Sequence, residues 1–163
     1  MLVNNGTLAV HLALKALGLK GEIVTAPFSF AGNTNVIGSE ALPRVLADIA
    51  SSTLNIQPKQ VEKEMTHKSC AILTTHDYGN PSDVDELESI AAKYSLKLIY
   101  DAAHALGVEY KNQSIADHGD ISTLSFHAPN VFDSIDGGAI IAKDGPLFEK
   151  LKLLRNHVNF DLA

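Results

Sequence analysis

The residues of this chain that could do chemistry stand directly behind short apolar runs. Gly6 and Thr7 follow the stub MLVNN, and Phe30 lies just past EIVTA. Thr75, His76, Asp77 and Tyr78 follow CAILT, Asp101 and His104 follow LKLIY, and Ser125 and His127 close ISTLSF. Gly-Thr at the head of a helix offers free N–H groups and the positive end of the dipole to a phosphate, although NGT is also an ordinary turn and cap. Asp101 is either a buried carboxylate facing a cationic ring nitrogen or a cap for the segment after it. Phe30 either stacks on a flat ring or joins the core. Ser125 either donates to a phosphate or bonds its own backbone. His76, Asp77, Asp101, His104 and His127 also have the ligand types that zinc takes, so a metal-dependent hydrolase is a competing reading.

These residues matter together only if one sheet edge collects them. EIVTA, PRVLADI, CAILTTH, LKLIYDA and ISTLSF are rich in Ile, Leu, Val and Thr and are bounded by polar or Gly/Pro punctuation, which marks strands. Helical patterns lie between them. Thr7–Leu17 is apolar on most sides and should be buried. PSDVDELESIAAKYS carries acids in its first turns and places Val84, Leu87, Ile90 and Ala91 on one face, and GPLFEKLKLLRNH repeats the pattern. Alternation of strand and helix predicts an α/β fold, a mostly parallel sheet with helices on both faces. Ligands of such sheets sit at the carboxyl ends of the strands, where all the residues above fall. GGAIIAK follows ISTLSF after too short a link for a helical crossover, so it is expected to run antiparallel between two other strands. MLVNN is expected to add a short strand at most. No internal repeat, low-complexity tract or linker divides residues 1–163, which read as a single α/β domain.

Composition narrows the partners. The 163 residues are 45% hydrophobic and 20% charged, as in an ordinary soluble domain. A net charge of -6 without a basic patch argues against nucleic acid and against an anionic membrane. No run approaches the ~18 apolar residues of a membrane span. The single cysteine, Cys70, cannot form an intrachain disulfide, which suits a reducing, cytoplasmic setting; it reads as a small strand residue.

Taken in order and spacing, NNGTLAVHLAL, EIVTAPFSFAGNTNVI, HDYGNPSDVDELESIAAKYSLKLIYDAAHALGVEYKNQSI, GDISTLSFH, DGGAIIAK and LKLLRNH resemble the DegT/DnrJ/EryC1/StrS family of sugar aminotransferases, over nearly the whole chain. The resemblance implies the large domain of a fold type I, aspartate-aminotransferase-like transferase and the cofactor pyridoxal 5'-phosphate. It assigns Gly6, Thr7 and Ser125 to the cofactor phosphate, Phe30 to stacking on the pyridine ring, Asp101 to the pyridinium nitrogen and His104 to the neighbourhood of the ring's 3-oxygen. Tyr78 and Gly79 form a structural turn. It also implies a homodimer and a nucleotide-sugar ligand.

Two departures set the expectation for activity. The family's lysine, which tethers the cofactor and moves the proton, is replaced by Asn130, and no lysine occurs from Ser125 to Ala142. An amide is not a base near neutral pH, so no catalytic residue is assigned. The chain is also expected to lack a counterpart of the family's C-terminal small domain and of its longer N-terminal segment. It is therefore expected to be a truncated, catalytically inactive relative, not a monomer, with the Thr7–Leu17 helix incompletely covered. The alternatives are an active aminotransferase or dehydratase completed by another lysine or a partner chain, and a pure dimerisation module.

Overall fold

The computed structural model describes residues 1–127 and 135–156. Seven strands form one sheet: β1 (Leu2–Val3), β2 (Glu22–Thr25), β3 (Arg44–Leu46), β4 (Ser69–Thr75), β5 (Lys97–Asp101), β8 (Ile121–Ser125) and β9 (Gly138–Ala142). Their spatial order is β1-β9-β8-β5-β4-β2-β3. A two-stranded ribbon, β6 (Glu109–Tyr110) with β7 (Gln113–Ser114), stands outside the sheet. The helices are α1 (Gly6–Leu17), α2 (Ala31–Ser39), α3 (Pro58–Glu64), α4 (Val84–Tyr94) and α5 (Gly145–Arg155).

Period-two alternation along the strands builds two cores, one on each face of the sheet. Val24, Ile72, Leu98 and Tyr100 point to the side covered by α3 and α4, where Val61, Val84, Leu87 and Ile90 meet them. Ile23, Ala71, Leu73, Ile99, Ile121 and Ile140 point to the opposite side and pack with Val10 and Leu14 of α1, Ile37 of α2 and Leu151 of α5. Each fully buried Leu or Ile contributes about 1.5–3 kcal/mol. Truncating one such as Leu87, at 0% exposure, should cost about 2–5 kcal/mol.

The predicted topology is present. β2, β3, β4, β5 and β8 pair in parallel, while β9 runs antiparallel between β8 and β1, with Leu124 opposite Ala139 and Leu2 opposite Ala139 on the other side. The MLVNN stub does form a strand, and it extends the sheet at that edge.

Other expectations are corrected. α1 is not left uncovered: α2, α5, β8 and β9 pack around it, and Ala9, Val10, Leu12, Ala13, Leu14 and Ala16 are all buried. The fourth helix begins at Val84 rather than Pro81, because Ser82 turns inward and its hydroxyl donates to the Thr75 carbonyl at 3.0 Å. The PRVLADI strand is confined to Arg44–Leu46.

Candidate functional site

The carboxyl ends of β4, β5 and β8 and the N-termini of α1 and α2 enclose a cavity of about 350 Å³, within the range of small-ligand sites. Gly6, Thr7, Phe30, Asp101, His104 and Ser125 all line it. The sheet thus brings together the six residues that the resemblance assigned to the cofactor; Thr75 and His127 line the same cavity, and His76, Asp77 and Tyr78 do not. Asn130 lies outside the described residues.

One end of the cavity is built to approach an anion. Asn5 caps α1: its Oδ1 accepts from the Leu8 N–H at 2.8 Å, and its backbone carbonyl accepts from the Ala9 N–H. That leaves the Gly6 and Thr7 N–H groups as the uncapped donors of the first turn. The turn fits tightly. A Cβ on Gly6 would sit 2.6 Å from Ser125 Cβ and 3.0 Å from its Oγ, while one on Gly138 would sit 2.6 Å from the carbonyl carbon and oxygen of Asn5. Glycine at both positions lets the α1 N-terminus rest on β8 and β9, so the donors and the Ser125 hydroxyl converge. The His127 N–H donates to Ser125 Oγ at 3.4 Å, so the hydroxyl also takes part in the strand-end bonding that the sequence left open.

The other end carries a buried carboxylate. Asp101 closes β5 at 6% exposure. Its Oδ1 accepts from the Ala103 N–H at 3.1 Å and its Oδ2 from the Asn33 amide at 2.7 Å. Both sequence readings of Asp101 therefore hold at once: it caps the following turn and it faces the cavity. Burial pushes its pKa above the usual carboxylate value, against the pull of the Asn33 and Ala103 hydrogen bonds and of His104. A positive ring nitrogen is the kind of ligand that offsets such a cost.

Phe30 is not a core residue. It is 66% exposed at the head of α2, and a Cβ on Gly32 would fall 2.6 Å from its ring and 3.1 Å from Thr7 Oγ1. The glycine thus leaves room for the ring beside the α1 N-terminus. His104 lies near-parallel to Tyr78, ring centroids 6.0 Å apart, and the Tyr78 N–H donates to His104 Nδ1 at 3.4 Å. In the neutral ring the proton is then on Nε2. Tyr78 itself has φ 54°, a left-handed position that fixes the turn. The turn is held from below by Asn55, whose Oδ1 accepts from the Asp77 N–H and whose amide donates to the Asn80 and Pro81 carbonyls. Asp77, buried at 5% exposure, has its pKa raised to about 6, mainly by loss of hydration and further by Asp101, while His104 opposes the rise.

Asn33 and Asn55 were missed from the sequence, whereas Thr75, named there only as a strand-end residue, lines the cavity. Only the type of residue gave a signal for Asn33, an amide one helical turn beyond Phe30. The hydrolase arrangement is not formed: among the described residues no three His, Cys, Asp or Glu side chains come together as a metal-binding group. His76 instead turns into the core, stacked on Tyr100 at 4.6 Å, with Nδ1 accepting from the Ser82 N–H. Burial lowers its pKa to about 3. Among the described residues no helix is long and apolar enough to cross a membrane.

A mostly parallel seven-stranded sheet with one antiparallel strand and helices on both faces is the fold type I, aspartate-aminotransferase-like class. Solved structures share the fold closely: DesI, solved in the presence of its TDP-sugar product, superposes with a TM-score of 0.93 at 33% identity over 99% of this chain and 41% of its own. NtdA from Bacillus subtilis, solved with bound cofactor PMP, gives a TM-score of 0.88 at 30% identity over 94% of this chain and 35% of its own. The model of the DegT/DnrJ/EryC1/StrS aminotransferase family matches residues 1–160, and the chain belongs to that family. It is 46% identical to the dTDP-4-amino-4,6-dideoxy-D-glucose transaminase of Shigella dysenteriae over 95% of this chain and 42% of that protein. The chain spans about 40% of the length of such relatives.

Proposed function

We propose that this chain binds a pyridoxal-phosphate-type cofactor non-covalently in the cleft and neither tethers it nor transaminates. The carrying observation is the cleft's two-ended polarity: uncapped N–H groups at Gly6 and Thr7 beside Ser125, and Asp101 at 6% exposure on the same cavity. The cradle suits a phosphate because glycines at 6 and 138 admit close backbone approach. The carboxylate suits a protonated pyridine. Phe30 would supply a flat apolar face, and the His104 Nε2–H would donate to a ring oxygen. When bound, the cofactor supplies an electron-withdrawing ring; the protein's part is to hold it, orient it and keep its ring nitrogen protonated.

Asn130 is the reason for the missing activity. The family position calls for a basic amine, and an amide neither attacks a carbonyl carbon nor carries a proton at neutral pH. Loss of such a group costs about 10²–10⁴ in rate from acid–base catalysis alone.

In this reading residues 1–163 form one cofactor-binding α/β domain in the cytoplasm, paired as a homodimer, with a nucleotide sugar as second ligand. The exposed rim of Phe28, Phe30 and Tyr78 is the surface that such a partner or ligand covers. The products and substrates named for its relatives are nucleotide-linked amino sugars, which supports that choice of ligand. The test is equilibrium binding of pyridoxamine 5'-phosphate, which carries an amine and cannot be tethered by a lysine. Saturable binding that Asp101→Ala and Gly6→Val each abolish is expected; absence of binding by the unaltered chain would overturn the reading.

A further inference from the structure

We propose that Asn33 is a positioning residue that holds the Asp101 carboxylate ionised and aimed at the ring-nitrogen end of the cleft. The inference rests on the cofactor reading for its target, but the interaction itself is a property of the protein alone. Asn33 sits in the first turn of α2 at 3% exposure, although α2 is a short, small-residue helix with little else polar inside. Its Nδ2 donates to Asp101 Oδ2 at 2.7 Å across 68 positions of sequence. The same nitrogen approaches Ser29 Oγ at 3.2 Å and Thr75 Oγ1 at 3.4 Å, so the amide is fixed by the β2–α2 loop and by the end of β4.

The opposite carboxylate oxygen is held by the Ala103 N–H at 3.1 Å. With one donor on each oxygen, the carboxylate plane cannot rotate, and a free lone pair remains on each oxygen for a ligand. The titratable groups facing Asp101 are His104 from its own strand end and Asp77 from the end of β4; His127 and Asp136 line the same cavity from β8 and β9. His104 favours the charged form and Asp77 opposes it. Asn33 is the side-chain donor that pulls hardest toward charge in a setting where burial works against it. Phe30, three residues earlier at the helix head, stays on the exposed side. The first turn of α2 thus serves the ring twice, with an apolar face from Phe30 and a tuned carboxylate through Asn33.

The test begins with the cofactor-free protein. In Asn33→Leu, which keeps the shape and removes the donor, the Asp101 carboxyl followed by ¹³C NMR should titrate about one to two pH units higher than in the unaltered chain, the shift equivalent to one lost charge-assisted hydrogen bond. An unchanged midpoint in a folded variant would overturn the proposal. Should Asn33→Leu fail to fold, the unaltered chain still decides. Its Asn33 side-chain amide protons should lie downfield and move as Asp101 titrates, and insensitivity to that titration would refute the contact.

The second arm uses two probes. For pyridoxamine 5'-phosphate, the acid limb of the affinity profile in Asn33→Leu should move up by the same one to two units, a ten- to hundredfold loss at a pH where Asp101 is still ionised in the unaltered chain. Inorganic phosphate, which reaches only the Gly6–Thr7–Ser125 end, should bind as before. Equal loss for both probes would mean a collapsed cleft and would refute the positioning role. If the unaltered chain binds no pyridoxamine 5'-phosphate, the cofactor reading falls, while the Asp101 titration still decides whether Asn33 controls the carboxylate.

Discussion

Replacing Gly138 by alanine adds one carbon where β9 supports the α1 N-terminus. The backbone at Gly138 is not in the left-handed region, so alanine carries no torsional penalty there and the effect is one of contact. The new Cβ would lie 2.6 Å from both the carbonyl carbon and oxygen of Asn5 and 2.9 Å from the Gly6 nitrogen. Non-bonded carbons settle at about 3.5–4.0 Å, so the Asn5–Gly6 turn has to retreat by about 1 Å. All three obstacles are backbone atoms, and no side-chain rotation relieves them. Overpacking of this kind costs about 1–3 kcal/mol, and a chain of this size loses about 2–4 °C in Tm per kcal/mol. A 1 Å displacement also takes the Gly6 and Thr7 N–H groups away from Ser125, which should weaken inorganic phosphate binding about 10–100-fold, the worth of one charge-assisted hydrogen bond. Differential scanning calorimetry and phosphate titration by ³¹P NMR provide the assay. Gly145→Ala is the control, because no atom lies within 4 Å of its added Cβ. Equal Tm and equal phosphate affinity in the two variants would refute the argument that Gly138 seats the anion cradle.

Phe30→Ala should leave Tm within about 0.5 kcal/mol-equivalent of the parent, since the ring is 66% exposed, while weakening pyridoxamine 5'-phosphate more than inorganic phosphate; parallel titrations check this. Stability should respond to pH in two opposing ways. His76, with its pKa lowered from 6.5 to about 3, binds a proton in the unfolded but not the folded chain across that window, so its contribution is present above pH 6.5 and lost as pH falls toward 3. Asp77, raised from 3.8 to about 6, acts in reverse: its contribution is present below 3.8 and lost as pH rises through 6. Asp77→Asn should therefore be more stable than the parent at pH 7, by about 1–3 kcal/mol, and the advantage should vanish near pH 4 in urea melts.

The strands were legible because their apolar runs are short, β-branched and cleanly punctuated, and the odd direction of β9 followed from the short link before Gly138. The six cavity residues were legible because each follows a strand, and strand ends in a parallel sheet share an edge. Other features were not. α2 reads AGNTNVIGS, with too few apolar residues to show a helical period, so neither the helix nor the burial of Asn33 could be seen. The Asn33–Asp101 bond joins two residues whose proximity depends on β2, β4 and β5 lying side by side in non-sequential order. His76 looked like a ligand from its type. Its place against Tyr100 follows from the turn after β4, where Ser82 bonds both its ring nitrogen and the Thr75 carbonyl. The coverage of α1 was misjudged because α5, close in space, is distant in sequence.

Borohydride reduction of the full chain with pyridoxal 5'-phosphate, followed by peptide mass mapping, asks most directly whether the cleft holds its cofactor without a lysine. The unaltered chain should show no stoichiometric adduct on any one lysine, and Asn130→Lys should gain one at position 130. A stoichiometric adduct on a single lysine of the unaltered chain would show that another amine tethers the cofactor, and the inactive, non-covalent reading would fall.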